Sequence, residues 1–211
     1  MSYRVTDFCD DPNNARTYLV INNDSCVIVD PANNLETLKK YVGEKHVEAI
    51  LLTHGHYDHF KELENVLKEY DTTVYLHEAA FKKLTSPLKS GALFLFGKNY
   101  KLDLTNYKHV FVEHNQVIEL PNFTIKCLYT PGHTNCSMSY IIGGFLFSGD
   151  LLFERTIGRS DLPTGNMVAL NESLRTILNQ NTNFLVLSGH DESFYLDDAK
   201  KYNDYLKKVI K

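Results

Sequence analysis

Residues 53–59 read Thr-His-Gly-His-Tyr-Asp-His and follow directly on the apolar run Val47–Leu52. A short apolar run ended by a glycine-containing turn predicts a buried strand that delivers its next residues to a sheet edge. Three imidazoles and one carboxylate on one tight turn cannot all face one ion, so the segment favours two metals. These donors suit zinc, iron or manganese. Gly55 belongs in such a turn because a side chain there would crowd it. Taken alone, the segment also fits a histidine-rich surface loop that binds nothing.

It does not stand alone. His133 in Thr130-Pro131-Gly132-His133-Thr134, Asp150 in Ser148-Gly149-Asp150 and His190 in Ser188-Gly189-His190 each follow an apolar strand and a glycine turn. Singly each reads as turn chemistry. Together with the first motif they read as a divided ligand set.

The order of elements supports that reading. Strands are expected at 3–8, 15–22 and 25–30, then a helix through Leu35, Leu38, Tyr41 and Val42 that stops at Gly43, then the strand Val47–Leu52. A second amphipathic stripe (Phe60, Leu63, Val66, Leu67, Tyr70) precedes a strand at 73–76 and a helix from Glu78. From Ser86 to Asn115 the periodicity is broken by Pro87, Gly91 and Gly97, and the segment at about 86–115 reads as a long surface excursion. Its clump Leu93–Phe96 fits a lid, a contact surface or core packing. A second strand block follows at 117–120, 123–128, 138–142 and 145–148, then a helix at 167–178, a strand at 184–188 and a helix at 197–210. Two strand blocks, each followed by helices, imply an α/β fold of four layers, an αββα sandwich. Residues 1–211 are expected to form a single domain.

Composition narrows the chemistry. Lys plus Arg number 22 against 26 for Asp plus Glu, a formal net charge of −4, which speaks against nucleic acid as a partner. No run approaches a membrane span, and the first residues carry acids where a signal peptide needs an apolar stretch, so a cytoplasmic protein without a membrane partner is expected. The four cysteines (Cys9, Cys26, Cys127, Cys136) form no Cys-x-x-Cys pair and read as free thiols. Cys136 lies close to His133 but reads as a packed small residue. His46, His77, His109 and His114 fall outside any ligand pattern and are assigned to surface or capping roles. Oligomeric state is not legible.

His-x-His-x-Asp-His, Pro-Gly-His-Thr, Ser-Gly-Asp-Leu-Leu-Phe and the final Gly-His occur in an order that resembles the metallo-β-lactamase fold superfamily, and within it the short glyoxalase II-like (hydroxyacylglutathione hydrolase-like) hydrolases. Gly158-Arg159-Ser160-Asp161 is similar to a segment of small members. The resemblance implies that His54, His56 and His133 hold one divalent metal, that Asp58, His59 and His190 hold the other, and that Asp150 bridges them. Zinc is the first expectation, with iron or manganese as alternatives. It further implies a metal-bridging hydroxide as nucleophile, with Asp58 both ligand and catalytic residue. The substrate expected is a small hydroxyacyl thioester, and Arg159 is a candidate for binding it, alongside an ion pair with Asp161.

Departures limit the substrate reading. His59 is followed by Phe60-Lys61-Glu62 where many relatives carry glycines, and His190 by Asp191-Glu192. The stretch after His190 leaves room for one helix rather than a separate C-terminal substrate domain. Two alternatives stay open: a mononuclear iron persulfide dioxygenase using His54, His133 and Asp150, or a lactonase using the same metal site. A β-lactamase is disfavoured by the expected location.

Overall fold

The computed structural model of the chain describes residues 2–210, the side chain of Ile210 excepted. The first run of elements is β1 (Arg4–Phe8), β2 (Thr17–Asn22), β3 (Ser25–Val29), α1 (Leu35–Val42), β4 (His46–Leu51), α2 (Tyr57–Phe60), α3 (Leu63–Glu69), β5 (Thr73–Leu76), α4 (Glu78–Leu84), α5 (Ala92–Phe96) and β6 (His109–Phe111). The second is β7 (Val117–Glu119), β8 (Thr124–Tyr129), β9 (Met138–Ile142), β10 (Phe145–Gly149), α6 (Met167–Leu178), β11 (Leu185–Ser188), β12 (Phe194–Tyr195), α7 (Leu196–Tyr202) and α8 (Asp204–Ile210). The strands form two six-stranded sheets, ordered β1-β2-β3-β4-β5-β6 and β12-β11-β10-β9-β8-β7. Both are mixed: β3 to β6 run parallel in the first, and β10 runs parallel to β11 in the second.

Side chains alternate along each strand, so both faces of both sheets are covered. Leu19, Cys26, Ile28 and Ile50 pack with Leu38, Val42, Leu63, Val66 and Leu84 of the helices outside the first sheet. Tyr18, Val20, Val27, Val29 and Leu51 turn the other way and meet Ile125, Cys127, Tyr140, Phe147 and Leu187 between the sheets. Leu146 and Val186 pack with Leu170, Leu174, Leu196 and Leu206 outside the second sheet. Three apolar interfaces between helix, sheet, sheet and helix make the four-layer sandwich. Each fully buried leucine or isoleucine in them contributes roughly 2 kcal/mol.

Local chemistry sets the helix ends. Asn34 accepts from the Thr37 amide at 3.2 Å to begin α1, and Asn166 accepts from Ala169 at 3.0 Å to begin α6. His77 accepts from the Ala79 amide at 3.1 Å and so caps α4. Among the described residues no helix is long and apolar enough to cross a membrane.

The segment at 86–115, expected as a surface excursion, is exposed over most of its length but also contributes to the core. It supplies β6, which pairs in parallel with β5 through Val74↔His109, and it buries Ala92, Leu102 and Leu104. Most of the rest keeps the expected exposure: Leu88 is open, and in α5 Leu93, Phe94 and Leu95 are each roughly half open. Neither a three-residue edge strand nor isolated buried leucines carry a period to read. Likewise the helix expected at 197–210 is two helices, because Asn203 is extended between them and its side chain serves the Tyr205 and Leu206 amides.

Strand register positions the site. Asp30 N donates to Leu51 O at 3.0 Å, and Gly189 N to Gly149 O at 3.0 Å, aligning the ends of β3 with β4 and of β10 with β11. Met138 N donates to Thr53 O at 2.7 Å and joins the two sheets at that edge.

Candidate metal centre

Seven donors arrive at this edge from five places in the chain. His54 and His56 lie in the loop after β4, Asp58 and His59 in the one-turn helix α2, His133 between β8 and β9, Asp150 after β10, and His190 after β11. The structure brings all seven together. His56 Nδ1 is 3.1 Å from His54 Nε2 and 3.0 Å from His133 Nε2. His190 Nε2 is 3.1 Å from Asp58 Oδ2, and His59 Nε2 is 3.3 Å from Asp150 Oδ1. Asp150 Oδ2 lies 3.5 Å from both His133 Nε2 and His190 Nε2, so one carboxylate touches both sides of the cluster. Three sets of donor atoms lie within 4.8 Å of one another: His54/His56/His133, Asp58/His59/His190 and His54/His59/Asp150.

Hydrogen bonds on the outer side of the rings fix which nitrogen faces inward. Thr53 Oγ1 spends its proton on Asp30 Oδ2 at 2.6 Å, so it accepts from His54 Nδ1 at 3.1 Å. His133 Nδ1 donates to the Arg159 carbonyl at 2.8 Å. In both rings Nε2 is then bare and points into the cluster. His59 Nδ1 donates to Asp30 Oδ2 at 2.8 Å, and Asp30 Oδ1 accepts from the Thr53 amide at 2.8 Å. Asp30 and Thr53 were not foreseen as part of the site. The available signal was an acid ending the apolar run 25–30, as Asp150 ends its own, but without the glycine that precedes Asp150.

Burial and charge divide the histidines into two kinds. Burial, then the neighbouring imidazoles, keep His54 neutral, its pKa well below the ordinary value. Burial does the same for His56, down to about 3, and for His133. Burial also opposes charging His59, but the carboxylates of Asp150 and Asp30 outweigh it and hold its pKa well above the ordinary value. His190 is raised for the same reason, through Asp58 and Asp150. Against burial, His59, His190 and His133 hold Asp150 well below the usual carboxylate range.

The Arg159 guanidinium makes two 2.8 Å bonds to Asp161, the ion pair expected alongside its binding role, and its backbone carbonyl accepts from His133 Nδ1. Cys136 is fully buried in the core against the first sheet, with Sγ 3.2 Å from Thr134 Oγ1. Phe60 is fully buried in the same core, and Glu192 pairs with Arg16.

A family model described as the metallo-beta-lactamase superfamily matches residues 10–190. The chain belongs to the metallo-beta-lactamase superfamily. Within it, the chain is similar to the probable metallo-hydrolase YqgX of Bacillus subtilis, 34% identical over 184 residues, covering 85% of this chain and 86% of that protein. It is similar to the hydroxyacylglutathione hydrolase GloC of Haemophilus influenzae, 27% identical over 187 residues, covering 86% and 87%. The crystal structure of the B3 metallo-beta-lactamase BLEG-1 superposes with a TM-score of 0.89 at 30% identity, covering 96% of this chain and 99% of that one. The chain is a metal-dependent hydrolase of this superfamily.

The donors fit the divalent metals that the superfamily implies. His59 Nε2 and Asp150 Oδ1 are buried 3.3 Å apart without a well-formed hydrogen bond, an arrangement that a cation taking both would relieve. In the three-histidine group, separations of 3.0–3.1 Å approach the roughly 3.3 Å edge of a tetrahedron with zinc–nitrogen bonds of about 2.05 Å. Gly189 closes the cluster from above: a Cβ there would fall 2.1 Å from Asp150 Oδ1 and 2.7 Å from His59 Cε1.

Proposed function

We propose that the chain hydrolyses a thioester of the hydroxyacyl-thiol type, a small molecule, at a centre of two divalent metals. The observation that carries the reading is Asp150, whose Oδ2 is equidistant from His133 and His190, one from each three-residue donor group. In this reading His54, His56 and His133 would hold one metal, Asp58, His59 and His190 would hold the other, and Asp150 would serve both. Zinc suits the nitrogen-rich first group; iron and manganese suit the second, with its carboxylates. When bound, such metals polarise a carbonyl and lower the pKa of a bound water, making hydroxide available near neutrality.

The chain's own residues supply orientation and access. Asp30 and Thr53 lock His54 and His59, and the Arg159 carbonyl locks His133, so the donors need no rearrangement. Burial keeps His54, His56 and His133 unprotonated. The His190 side chain is 31% exposed, against 10% for Asp58 and 0% for His59, so substrate approaches from the His190 side. Asp58 holds His190 there. A thiolate is a good leaving group and asks for no protein acid, and Cys136 is not needed as a nucleophile. GloC supports the thioester class, and three buried free cysteines suit a reducing, cytosolic setting.

The likeness to BLEG-1 favours one second reading, hydrolysis of a β-lactam by the same centre. The test is parallel: thiol release from S-lactoylglutathione and ring opening of a penicillin, with metal counted by elemental analysis. Thioester turnover with two metals per chain is expected. Turnover no greater than that of a His54→Ala/Asp58→Ala variant overturns the thioester reading, and penicillin turnover alone selects the second.

A further inference from the structure

Next to this centre, a lysine is buried without a counter-ion. Lys83, on α4, is 4% exposed, and its Nζ donates to Thr164 Oγ1 at 2.7 Å. Among the described residues no carboxylate pairs with it, whereas its neighbour Lys82 pairs with Glu78. Burial lowers the Lys83 pKa, and an ammonium so placed is costly unless an anion joins it.

Lys83 borders a cavity of about 250 Å³ lined also by Ala79, Lys82, Lys89, Asn135, Pro163 and Thr164, with the Lys82 charge met by Glu78. Lys89 is exposed at its mouth. None of the seven donors lines the cavity, but its walls lie against the segments that carry them: a Cβ on Gly55, between His54 and His56, would stand 2.9 Å from Lys83 Cβ, and Asn135 follows His133 by two residues. Thr164 is held at φ 75°, a left-handed conformation that a β-branched residue adopts only under strain. Its hydroxyl accepts from Lys83 Nζ and from Asn135 N at 3.3 Å, tying the two walls together.

We propose that this cavity is a carboxylate subsite of the active centre, in which Lys83, with Lys89 at the mouth, receives one negative charge carried by the substrate away from its scissile bond. One uncompensated buried cation matches a monoanion better than a phosphate dianion. The choice of thioester as substrate rests on the proposed function; the subsite itself does not.

Two measurements on the full, zinc-loaded chain separate the two. In the first, the ¹⁵N-labelled protein is titrated with propionate and, in a parallel arm, with inorganic phosphate. Saturable shifts of the Asn135 and Thr164 amides with propionate are expected, lost in Lys83→Met and weakened in Lys89→Gln. Lys83→Met exchanges a buried unpaired charge for an apolar chain of similar length, a change compatible with the fold. No saturable shift, shifts with phosphate alone, or shifts that survive in Lys83→Met overturn the subsite.

In the second, kcat/KM is compared for the acetyl thioesters of N-acetylcysteine, which carries a carboxylate, and N-acetylcysteamine, which does not. The wild-type ratio is expected to favour the carboxylate by ~10-fold or more, and to fall towards one in Lys83→Met. A ratio that Lys83→Met leaves untouched overturns the proposal. If neither thioester is cleaved while the propionate shifts appear, the thioester reading fails and the subsite stands.

Discussion

His59 donates its Nδ1 proton to Asp30 Oδ2 at 2.8 Å, so a carboxylate at the end of β3 fixes an imidazole 29 residues further along. The same carboxylate holds the Thr53 amide and hydroxyl, and through that hydroxyl the ring of His54. Asp30→Asn keeps the volume but cannot accept all three bonds. Metal affinity, read by competition with a chelator, is expected to fall about 10- to 100-fold. Denaturant unfolding is expected to show a loss of about 1–3 kcal/mol. Unchanged affinity would mean that packing alone orients these rings.

Metal uptake is expected to release protons. Against burial, their carboxylate neighbours raise the pKa values of His59 and His190, so each keeps its proton to higher pH than a free imidazole and a cation must displace it. Affinity therefore falls as pH is lowered. Calorimetry in buffers of different ionisation enthalpy counts the protons, and a count of zero at neutral pH would contradict the assignment.

The stability of the metal-free chain carries the same signature with two signs. His54, His56 and His133 are lowered, His56 to about 3, so their contribution is present above the unfolded value of about 6.5 and lost as pH falls below it. His59 and His190 are raised, so theirs is complete below about 6.5 and lost as pH rises through their folded values. Thermal unfolding is expected to peak near pH ~6.5 and decline on both sides. A monotonic profile would show that one set dominates.

Gly189→Ala places a methyl group 2.1 Å from Asp150 Oδ1. The strand end must shift, at a cost of about 1–3 kcal/mol, and Asp150 loses its place between the two donor groups. Loss of bound metal together with a lower melting temperature is expected. Full metal content would mean that the loop yields freely.

Cys136→Ala is expected to keep its metal and its turnover, because the thiol is packed against the first sheet rather than aimed at the donors. A destabilisation of about 1 kcal/mol is the expected cost. Loss of turnover with the fold intact would restore the thiol as a participant.

Much of this molecule was readable from its chain. Leu19 and Val20, or Ile28 and Val29, alternate between two apolar interfaces, and that alternation is what a two-sheet sandwich needs. The donors were readable because each cluster of them follows an apolar strand that ends near a glycine. Asp30 escaped because no glycine or second donor accompanies it, although its strand is equally apolar. β6 escaped because His109–Phe111 is too short to show a period, and Leu102 and Leu104 are buried from a stretch without regular structure. The Arg159 carbonyl could not have been foreseen, since a backbone acceptor leaves no mark on side-chain identity. Lys83 stands beside Lys82 in the chain with nothing in the sequence to tell them apart, and only the burial of one member separates them.

The bond from Met138 N to Thr53 O crosses from one sheet to the other beside the donors, four of which belong to the first half of the chain and three to the second. Neither half owns a complete binding set. Cations held there would act as a clasp, strengthening the seam by mass action in proportion to their free concentration. Stripping them would loosen the join between halves before it disturbed the interior of either, so scarcity of metal would be felt first as a mechanical weakness.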